Sequence, residues 1–282
     1  MMGSMRFAKG HGTGNDFVIL PDPDLTIDLT PERVRALCNR RRGIGADGLL
    51  RVVRCQAHPD GARHAGEATW FMDYWNADGS LAEMCGNGAR VFARYLVDTG
   101  LASAGSLAFA TRAGVKTVTV AQDGDVVVDM GAPQVGDEAK AVVAGRVFLG
   151  TSVSMGNPHL VCPVDLETLA ELDLTRPPRV DPGVFPDGVN VEFAAVVAPG
   201  RVRMRVHERG VGETLSCGTG TCAVAAVMAQ GEGHPTEAVT TVTVEVPGGV
   251  LTVQLGEGTI RLGGPAVIVA EGHLNARYFD LA

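Results

Sequence analysis

The chain has 282 residues, of which 45% are hydrophobic and 20% charged, and its formal net charge is −8. This is enough apolar material for one large domain or two ordinary ones. An acidic chain without a long basic run is not expected to bind nucleic acid. No apolar run reaches the roughly 18 residues of a membrane span, so we expect no membrane partner. Six dispersed cysteines and no apolar signal core favour a reducing cytoplasm.

Short β-rich segments separated by Gly, Pro and Asp turns dominate the chain. In chain order, examples of the predicted strands are Asp16–Leu20, Trp70–Trp75, Lys116–Val120, Asp125–Met130, Arg201–His207 and Val239–Val246. The Asp123-Gly124 pair lies between two strongly β-forming runs and therefore predicts a hairpin turn.

Three helices are predicted. The first takes Thr30 as its N-cap and Pro31 as its first residue. The other two begin at Cys85 and Cys217, and the earlier of them ends at Gly100. Exposed backbone N–H groups at a helix start favour negative charge. We therefore expect both cysteines to have a thiol pKa lowered toward the physiological range.

The chain contains an internal repeat. CGNGARVFARYL (85–96) aligns with CGTGTCAVAAVM (217–228), and Asn76 and Glu208 lie equally far upstream of the two cysteines. The repeat predicts two related α/β halves, each with one helix that begins at a cysteine. We place the N-terminal half at 5–130 and the C-terminal half at 131–270, with residues 271–282 as a candidate to complete the N-terminal half.

Two cysteines in equivalent positions of two halves suit one class of reaction. A ligand in the cleft between the halves would have one sulfur on each side. A thiolate could remove a Cα proton from one face while a thiol delivers a proton to the other, which is racemisation or epimerisation. Backbone N–H groups of the glycine-rich helix starts could stabilise the charge that develops on a substrate carboxylate.

The motifs around these cysteines match one known family. They are GTGNDFV (12–18), GADGLL (45–50), NADGSLAEMCGNGAR (76–90), GNPH (156–159), GVNVEF (188–193) and ERGVGETLSCGTG (208–220). The chain resembles the diaminopimelate epimerase family over essentially its whole length from Met5. The resemblance implies two pseudo-symmetric β-rich halves, each wrapped around a central helix, with the active site in the cleft between them. It also implies a homodimer that interconverts L,L- and meso-diaminopimelate, a small-molecule substrate, in lysine and peptidoglycan-precursor biosynthesis.

The resemblance assigns roles residue by residue. Cys85 and Cys217 correspond to the two catalytic residues, and His159 and Glu208 to residues that tune or orient them. The positions that match substrate-binding residues of the family are Asn15, Asn76, Gly86, Asn87, Asn157, Asn190, Glu208, Arg209, Gly218 and Thr219. Many members carry Gln where this chain has Gly48, so we expect water or another residue to serve there.

Other interpretations remain open at this point. Taken singly, each of the Asn, Gly and His residues would fit a turn, capping or structural role. A proline or hydroxyproline racemase would share the two-cysteine chemistry but would leave Arg209 without a substrate charge to bind. A redox dithiol or a binding protein without catalysis is the alternative from another class. We expect no cofactor and no metal, because no lysine is placed to suggest a Schiff base and no His/Cys spacing fits zinc.

Overall fold

The structure is a computed structural model, and it describes residues 5–122, 124–231, 240–256, 258–275 and 278. Asp123 of the predicted hairpin, Val239 of the last predicted strand and most of 276–282 lie outside the described residues. No helix in the described ranges has both the length and the apolar composition needed to cross a bilayer.

Strands make up most of the regular structure. They are β1 Met5–Gly12, β2 Asn15–Pro21, β3 Gly48–Arg54, β4 Trp70–Asn76, β5 Gly105–Thr111, β6 Gly114–Val120, β7 Val126–Gly131, β8 Gln134–Val143, β9 Arg146–Ser154, β10 Pro158–Pro163, β11 Arg179–Val180, β12 Asn190–Ala198, β13 Arg201–Glu208, β14 Gly212–Thr214, β15 Thr240–Val246, β16 Gly249–Gly256, β17 Thr259–Gly264 and β18 Val267–Leu274. The α-helices are α1 Pro31–Cys38, α2 Pro59–Ala62, α3 Gly86–Asp98, α4 Leu166–Glu171 and α5 Gly218–Gly231.

The chain divides into two compact units. The first contains the described residues up to Val128 together with those from Pro265 onward, and the second spans Asp129–Gly264. The last strand, β18, belongs to the first unit because it pairs antiparallel with β1.

The two units share one order of strand pairing. In the first, neighbouring strands follow the order β18, β1, β2, β3, β4, β5, β6, β7. In the second, the order is β8, β9, β10, β12, β13, β15, β16, β17. Parallel pairs occur at the same two places, β2/β3 and β4/β5 in one unit and β10/β12 and β13/β15 in the other. The prediction of two related β-rich halves is confirmed.

Each unit packs its strands against one long helix. In the first unit α3 contacts β1, β2, β3, β4, β6 and β18, and in the second α5 contacts strands from β9 to β17. The segment CAVA of α5 is fully buried, as expected of a helix that is apolar on every side. These contacts hold the first turn of each helix, and hence the cysteine before it, at a defined place in its unit.

Two arginines are buried within α3. Arg90 is fully buried and donates from Nη2 to Thr13 Oγ1 at 3.1 Å. Arg94 donates to the carbonyl oxygens of Ala121 at 2.8 Å and Gly124 at 2.6 Å. Buried charges need such partners, so these side chains tie the helix to the loops that surround it.

Helix starts and ends follow the predictions from sequence. Thr30 is the N-cap of α1, and its side chain accepts from the backbone N–H of Arg33. Cys85 is the N-cap of α3, and Gly100 follows the C-cap of that helix with φ of +72°. All three features are confirmed.

A substitution at Gly79 should destabilise the fold. Gly79 has φ of +82°, and a Cβ there would lie 2.5 Å from Pro31 O at the start of α1. Gly79→Ala therefore meets both a left-handed backbone and a steric clash, which we expect to cost about 3 kcal/mol. Thermal unfolding should show Tm lower by several degrees.

Gly100→Ala is the matched control for that measurement. Gly100 also has positive φ, at +72°, but a Cβ there would meet no atom within 4 Å. It should lose only the backbone part, about 1 kcal/mol. Equal losses for the two variants would contradict a clash at Pro31.

Candidate active site

The first cysteine lies at the start of the central helix of its unit. Cys85 is extended, with φ of −144°, and its side chain caps α3. The Gly88 N–H points at Cys85 Sγ over 3.4 Å, and Sγ lies 3.7 Å from Asn15 Oδ1. Gly86 is the first residue of the helix, and both it and Asn87 are buried. The predicted residues Asn15, Gly86 and Asn87 thus lie together with Cys85.

The Asn15 amide is held by the carboxylate of Asp47, which is not among the residues predicted from sequence. Asn15 Nδ2 donates to Asp47 Oδ2 at 2.8 Å, and Asn87 Nδ2 donates to Asn15 Oδ1 at 3.2 Å. Arg40 bridges Asp47 and Asp16, with 2.7 Å to a carboxylate oxygen of each. Asp47 could have been predicted as a site residue from its position directly before Gly48 in the GADGLL motif.

Two other predicted positions of this unit lie on β3 and β4. Asn76 is the last residue of β4, and its Nδ2 donates to Ser80 Oγ at 3.0 Å. It pairs with Gly48, the first residue of β3. A Cβ on Gly48 would lie 2.8 Å from both Trp75 O and Tyr74 Cε2. The Tyr74 ring therefore occupies space that a glutamine side chain at position 48 would need.

The second cysteine has the corresponding position before α5. Cys217 is buried, and its Sγ lies 3.5 Å from Thr219 Oγ1. The Glu208 carboxylate and the backbone N–H of Gly220 are close enough to change the pKa of this thiol, the first raising it and the second lowering it. Glu208 accepts in turn from Thr214 Oγ1 at 2.5 Å. Burial raises the pKa of the Glu208 carboxyl, while the hydrogen bonds from Thr214 and Cys217 oppose that change.

The expected lowering of the thiol pKa is wrong for Cys217. Burial raises the pKa of this thiol well above its ordinary value, and the negative charges of Glu208 and Glu192 raise it further. Hydrogen bonds from Thr219 and Gly220 act in the opposite direction but are outweighed. A helix start offers only partial positive charge, whereas burial penalises the whole charge of a thiolate. Cys217 is therefore a thiol at neutral pH in this structure.

Asn157 and His159 connect this cysteine to the interior of the unit. Asn157 Nδ2 lies 3.4 Å from Thr219 Oγ1, and Asn157 Oδ1 lies 3.0 Å from His159 Nε2. The other ring nitrogen of His159, Nδ1, lies 2.7 Å from Glu192 Oε1. Glu192 is not among the residues predicted from sequence, although it lies within the GVNVEF motif.

The remaining predicted residues of this unit lie around the end of β13. The backbone N–H of Arg209 donates to Asn190 Oδ1 at 2.9 Å. The Arg209 side chain is exposed, and its Nη1 donates to Asp187 O at 3.1 Å. Gly218 is the first residue of α5. The guanidinium thus keeps further donors for an anionic group.

Comparison with known proteins is consistent across sequence and fold. The family model described as diaminopimelate epimerase matches residues 7–136 and 151–272. A diaminopimelate epimerase of Streptomyces coelicolor is 53% identical over 281 residues, which is 97% of this chain and 96% of that protein.

Solved structures extend the comparison at the level of the fold. A phenazine biosynthesis protein of the PhzF family from Bacillus anthracis superposes with a TM-score of 0.70 at 18% identity, covering 97% of this chain and 100% of its own. A hydroxyproline epimerase from Agrobacterium vitis, solved with bound trans-4-hydroxy-L-proline, gives 0.65 at 15% identity and covers 96% and 92%. At these identities the likeness concerns the fold alone. The family match and the close relative, in contrast, cover nearly the whole chain, and the chain belongs to the diaminopimelate epimerase family.

Proposed function

We propose that this chain interconverts L,L- and meso-diaminopimelate without a cofactor or metal, with Cys85 and Cys217 as its two proton-transfer groups. The observation that carries the proposal is the equivalence of the two cysteines. Each directly precedes the central helix of its unit. Each sulfur also lies beside the first turn of that helix, 3.4 Å from the backbone nitrogen of Gly88 in one unit and 3.5 Å from Thr219 Oγ1 in the other.

The chemistry needs one base and one acid at opposite faces of a carbon. One sulfur, as thiolate, takes the Cα proton, and the other, as thiol, delivers a proton to the opposite face. The proton taken remains on the first sulfur, so charge and atoms balance when the second sulfur becomes the thiolate. Cys217 is a thiol at neutral pH, which suits it to be the acid when turnover begins.

The carbanion intermediate needs stabilisation, because a Cα proton is a very weak acid. We assign this role to backbone N–H groups of the two helix starts, at Gly86 and Asn87 and at Gly218 and Thr219. Donors aimed at a developing negative charge can remove roughly 3–4 kcal/mol of barrier each. The small residues there let a carboxylate approach the backbone.

The distal end of the substrate must be held by its own charges. Diaminopimelate carries a second carboxylate and ammonium, and we assign the carboxylate to Arg209 and the remaining polar contacts to Asn15, Asn76, Asn157, Asn190 and Glu208. A guanidinium binds a carboxylate through two parallel hydrogen bonds. A proline-type substrate has no such distal charge, so this set favours diaminopimelate over a proline or hydroxyproline racemase reaction.

The biological setting follows from the same assignment. We expect a cytoplasmic enzyme of lysine and peptidoglycan-precursor biosynthesis, and a homodimer as the family resemblance implies. Sedimentation of the purified protein tests the dimer, and a monomeric mass at working concentration would contradict it.

Turnover in heavy water tests the function and the two-base mechanism together. Purified enzyme, dialysed against a chelator, is incubated with L,L-diaminopimelate and no added cofactor. We expect the meso form to accumulate with deuterium at the inverted carbon, because the donating sulfur exchanged with solvent before binding. The remaining L,L-substrate should stay protiated at early times. A requirement for added cofactor would contradict the proposed function. Deuterium entering recovered substrate as fast as product would contradict two separate bases.

A further inference from the structure

A buried acidic residue lies beneath the helix start that carries Cys217. Glu192 on β12 is fully buried and lies 2.7 Å from Nδ1 of His159 on the parallel neighbour β10. A Cβ built on Gly220 would lie 2.5 Å from Glu192 Oε1, so the carboxylate packs directly against the first turn of α5. Its second oxygen, Oε2, is buried without a hydrogen-bond partner among the described residues.

The first unit has an apolar pair at the equivalent place. Strand register pairs Phe17 with Gly48 in the first unit and His159 with Asn190 in the second. Leu50 follows Gly48 by two residues, just as Glu192 follows Asn190. Leu50 and Glu192 therefore occupy corresponding positions in the two units. A Cβ built on Gly88 would lie 3.3 Å from Leu50 Cδ2 and 3.5 Å from Phe17 Cε1.

This difference indicates a chemical rather than a structural reason for the ionisable pair. Phe17 and Leu50 support the helix start of the first unit by packing alone. Burying a carboxylate costs desolvation energy that well-packed apolar side chains do not, so an ion pair is weak evidence for stability. Support of α5 therefore does not require Glu192 and His159.

A row of short contacts runs from Glu192 to the sulfur. It passes from Glu192 to His159 over 2.7 Å and from His159 to Asn157 over 3.0 Å. It continues from Asn157 to Thr219 over 3.4 Å and ends at Cys217 Sγ after 3.5 Å. Each member restricts the orientation of the next, because amide, ring and hydroxyl groups donate and accept in fixed directions.

We propose that Glu192 is a positioning residue for the reaction: it holds the His159 ring and, through Asn157 and Thr219, aims the Cys217 thiol that exchanges the proton. This role presupposes the epimerase function proposed above. It adds to that function a residue that touches neither the substrate nor the sulfur.

The charge of Glu192 provides a readout that packing alone would not change. The ionisable groups around it are His159 and Cys162 on β10, Glu208 at the end of β13 and Cys217 before α5. Its negative charge raises the pKa of the Cys217 thiol. Neutralising it should therefore lower that pKa and bring the thiolate to a lower pH.

The test is Glu192→Gln, which keeps the shape and an oxygen for His159 but removes the charge. Alkylation of Cys217 by iodoacetamide, followed by peptide mass spectrometry, gives the pH midpoint of the thiol without any substrate. We expect the midpoint to fall by roughly half a pH unit or more.

Steady-state kinetics of Glu192→Gln give a second readout. We expect kcat to fall about tenfold or more with KM within about twofold, as when a reacting group is wrongly oriented. Glu245→Gln is the control: it neutralises a partly buried carboxylate of the same unit, held by Arg201 and Arg203, and should change neither the midpoint nor the kinetics.

A second variant tests the same proposal if Glu192→Gln fails to fold. The double variant His159→Phe with Glu192→Leu copies the Phe17/Leu50 pair, and it should fold, show the same fall in the Cys217 midpoint and lose at least as much kcat. An unchanged midpoint or an unchanged kcat in Glu192→Gln would overturn the proposal, as would a KM that rises in step with any loss of kcat. The alkylation arm needs no turnover, so failure of wild-type enzyme to act on diaminopimelate would refute the function without deciding the role of Glu192.

Discussion

Replacing either Cys85 or Cys217 by alanine should lower kcat for epimerisation by about four orders of magnitude in both directions. Each direction of the reaction uses one sulfur as base and the other as acid, so neither cysteine alone can complete an inversion. The measurement is the rate of meso product from L,L-diaminopimelate and the rate of the reverse reaction.

The residual chemistry of these variants is more informative than their loss of inversion. With one sulfur remaining, the isomer whose Cα proton faces it can still lose that proton and regain a deuteron from the same side in heavy water. We therefore expect each single variant to exchange label into one isomer without inverting it, and the two variants to differ in which isomer they label. Labelling of the same isomer by both would contradict opposed positions for the sulfurs.

Two other cysteines serve as matched controls. Burial raises the pKa of both Cys38, at the end of α1, and Cys162, on β10, to about 12. Neither lies at the start of a central helix, so neither has the position proposed for the two proton-transfer groups. Alanine at either position should leave kcat per folded molecule within about twofold, and a large loss there would show that thiol removal acts through the fold.

Arg209→Lys should raise KM for diaminopimelate by ten- to a hundredfold with a much smaller change in kcat. A lysine keeps the charge but replaces a planar pair of donors with a point charge, which binds a carboxylate less specifically. Hydrogen bonds to charged groups contribute about 1.5–3 kcal/mol, which corresponds to that range in affinity. Steady-state kinetics on both isomers provide the measurement.

The control for this substitution lies on β13, the strand that ends directly before Arg209. Arg203→Lys likewise changes an exposed arginine, which lies on β13 and pairs with the partly buried Glu245. It should leave KM unchanged. If Arg209→Lys binds diaminopimelate normally, or if the enzyme turns over simple cyclic amino acids, the distal carboxylate is not the ligand of Arg209.

Local sequence signals were enough to predict the repeat, the starts of α1, α3 and α5 and the end of α3. Thr30, Cys85 and Gly100 act on backbone groups only a few residues away, so their roles depend little on the rest of the fold. The alignment of the two cysteine segments then required that both halves share one architecture, and the strand order bears this out.

Long-range contacts could not be predicted in the same way. The pKa of Cys217 depends on Glu192 and Glu208, which come from two strands whose pairing is not visible in a local window. A glutamate between Val191 and Phe193 gives no indication that it is buried beside a histidine. Asp47 was missed for a related reason: it directly precedes β3 while its partner Asn15 begins β2, and only the parallel pairing of β2 with β3 brings the two together.

The surroundings of Cys85 have a consequence for reversibility. Its sulfur lies between a hydrogen-bond acceptor, Asn15 Oδ1, and a hydrogen-bond donor, the Gly88 N–H. Because Asp47 accepts from the Asn15 nitrogen, the amide oxygen is the atom turned toward the sulfur. A thiol can therefore donate to Asn15 and a thiolate can accept from Gly88, and neither protonation state leaves the sulfur without a partner. An enzyme that must obey microscopic reversibility gains from such a site, since the group that gives up a proton in one direction must receive it in the other without rearranging its surroundings.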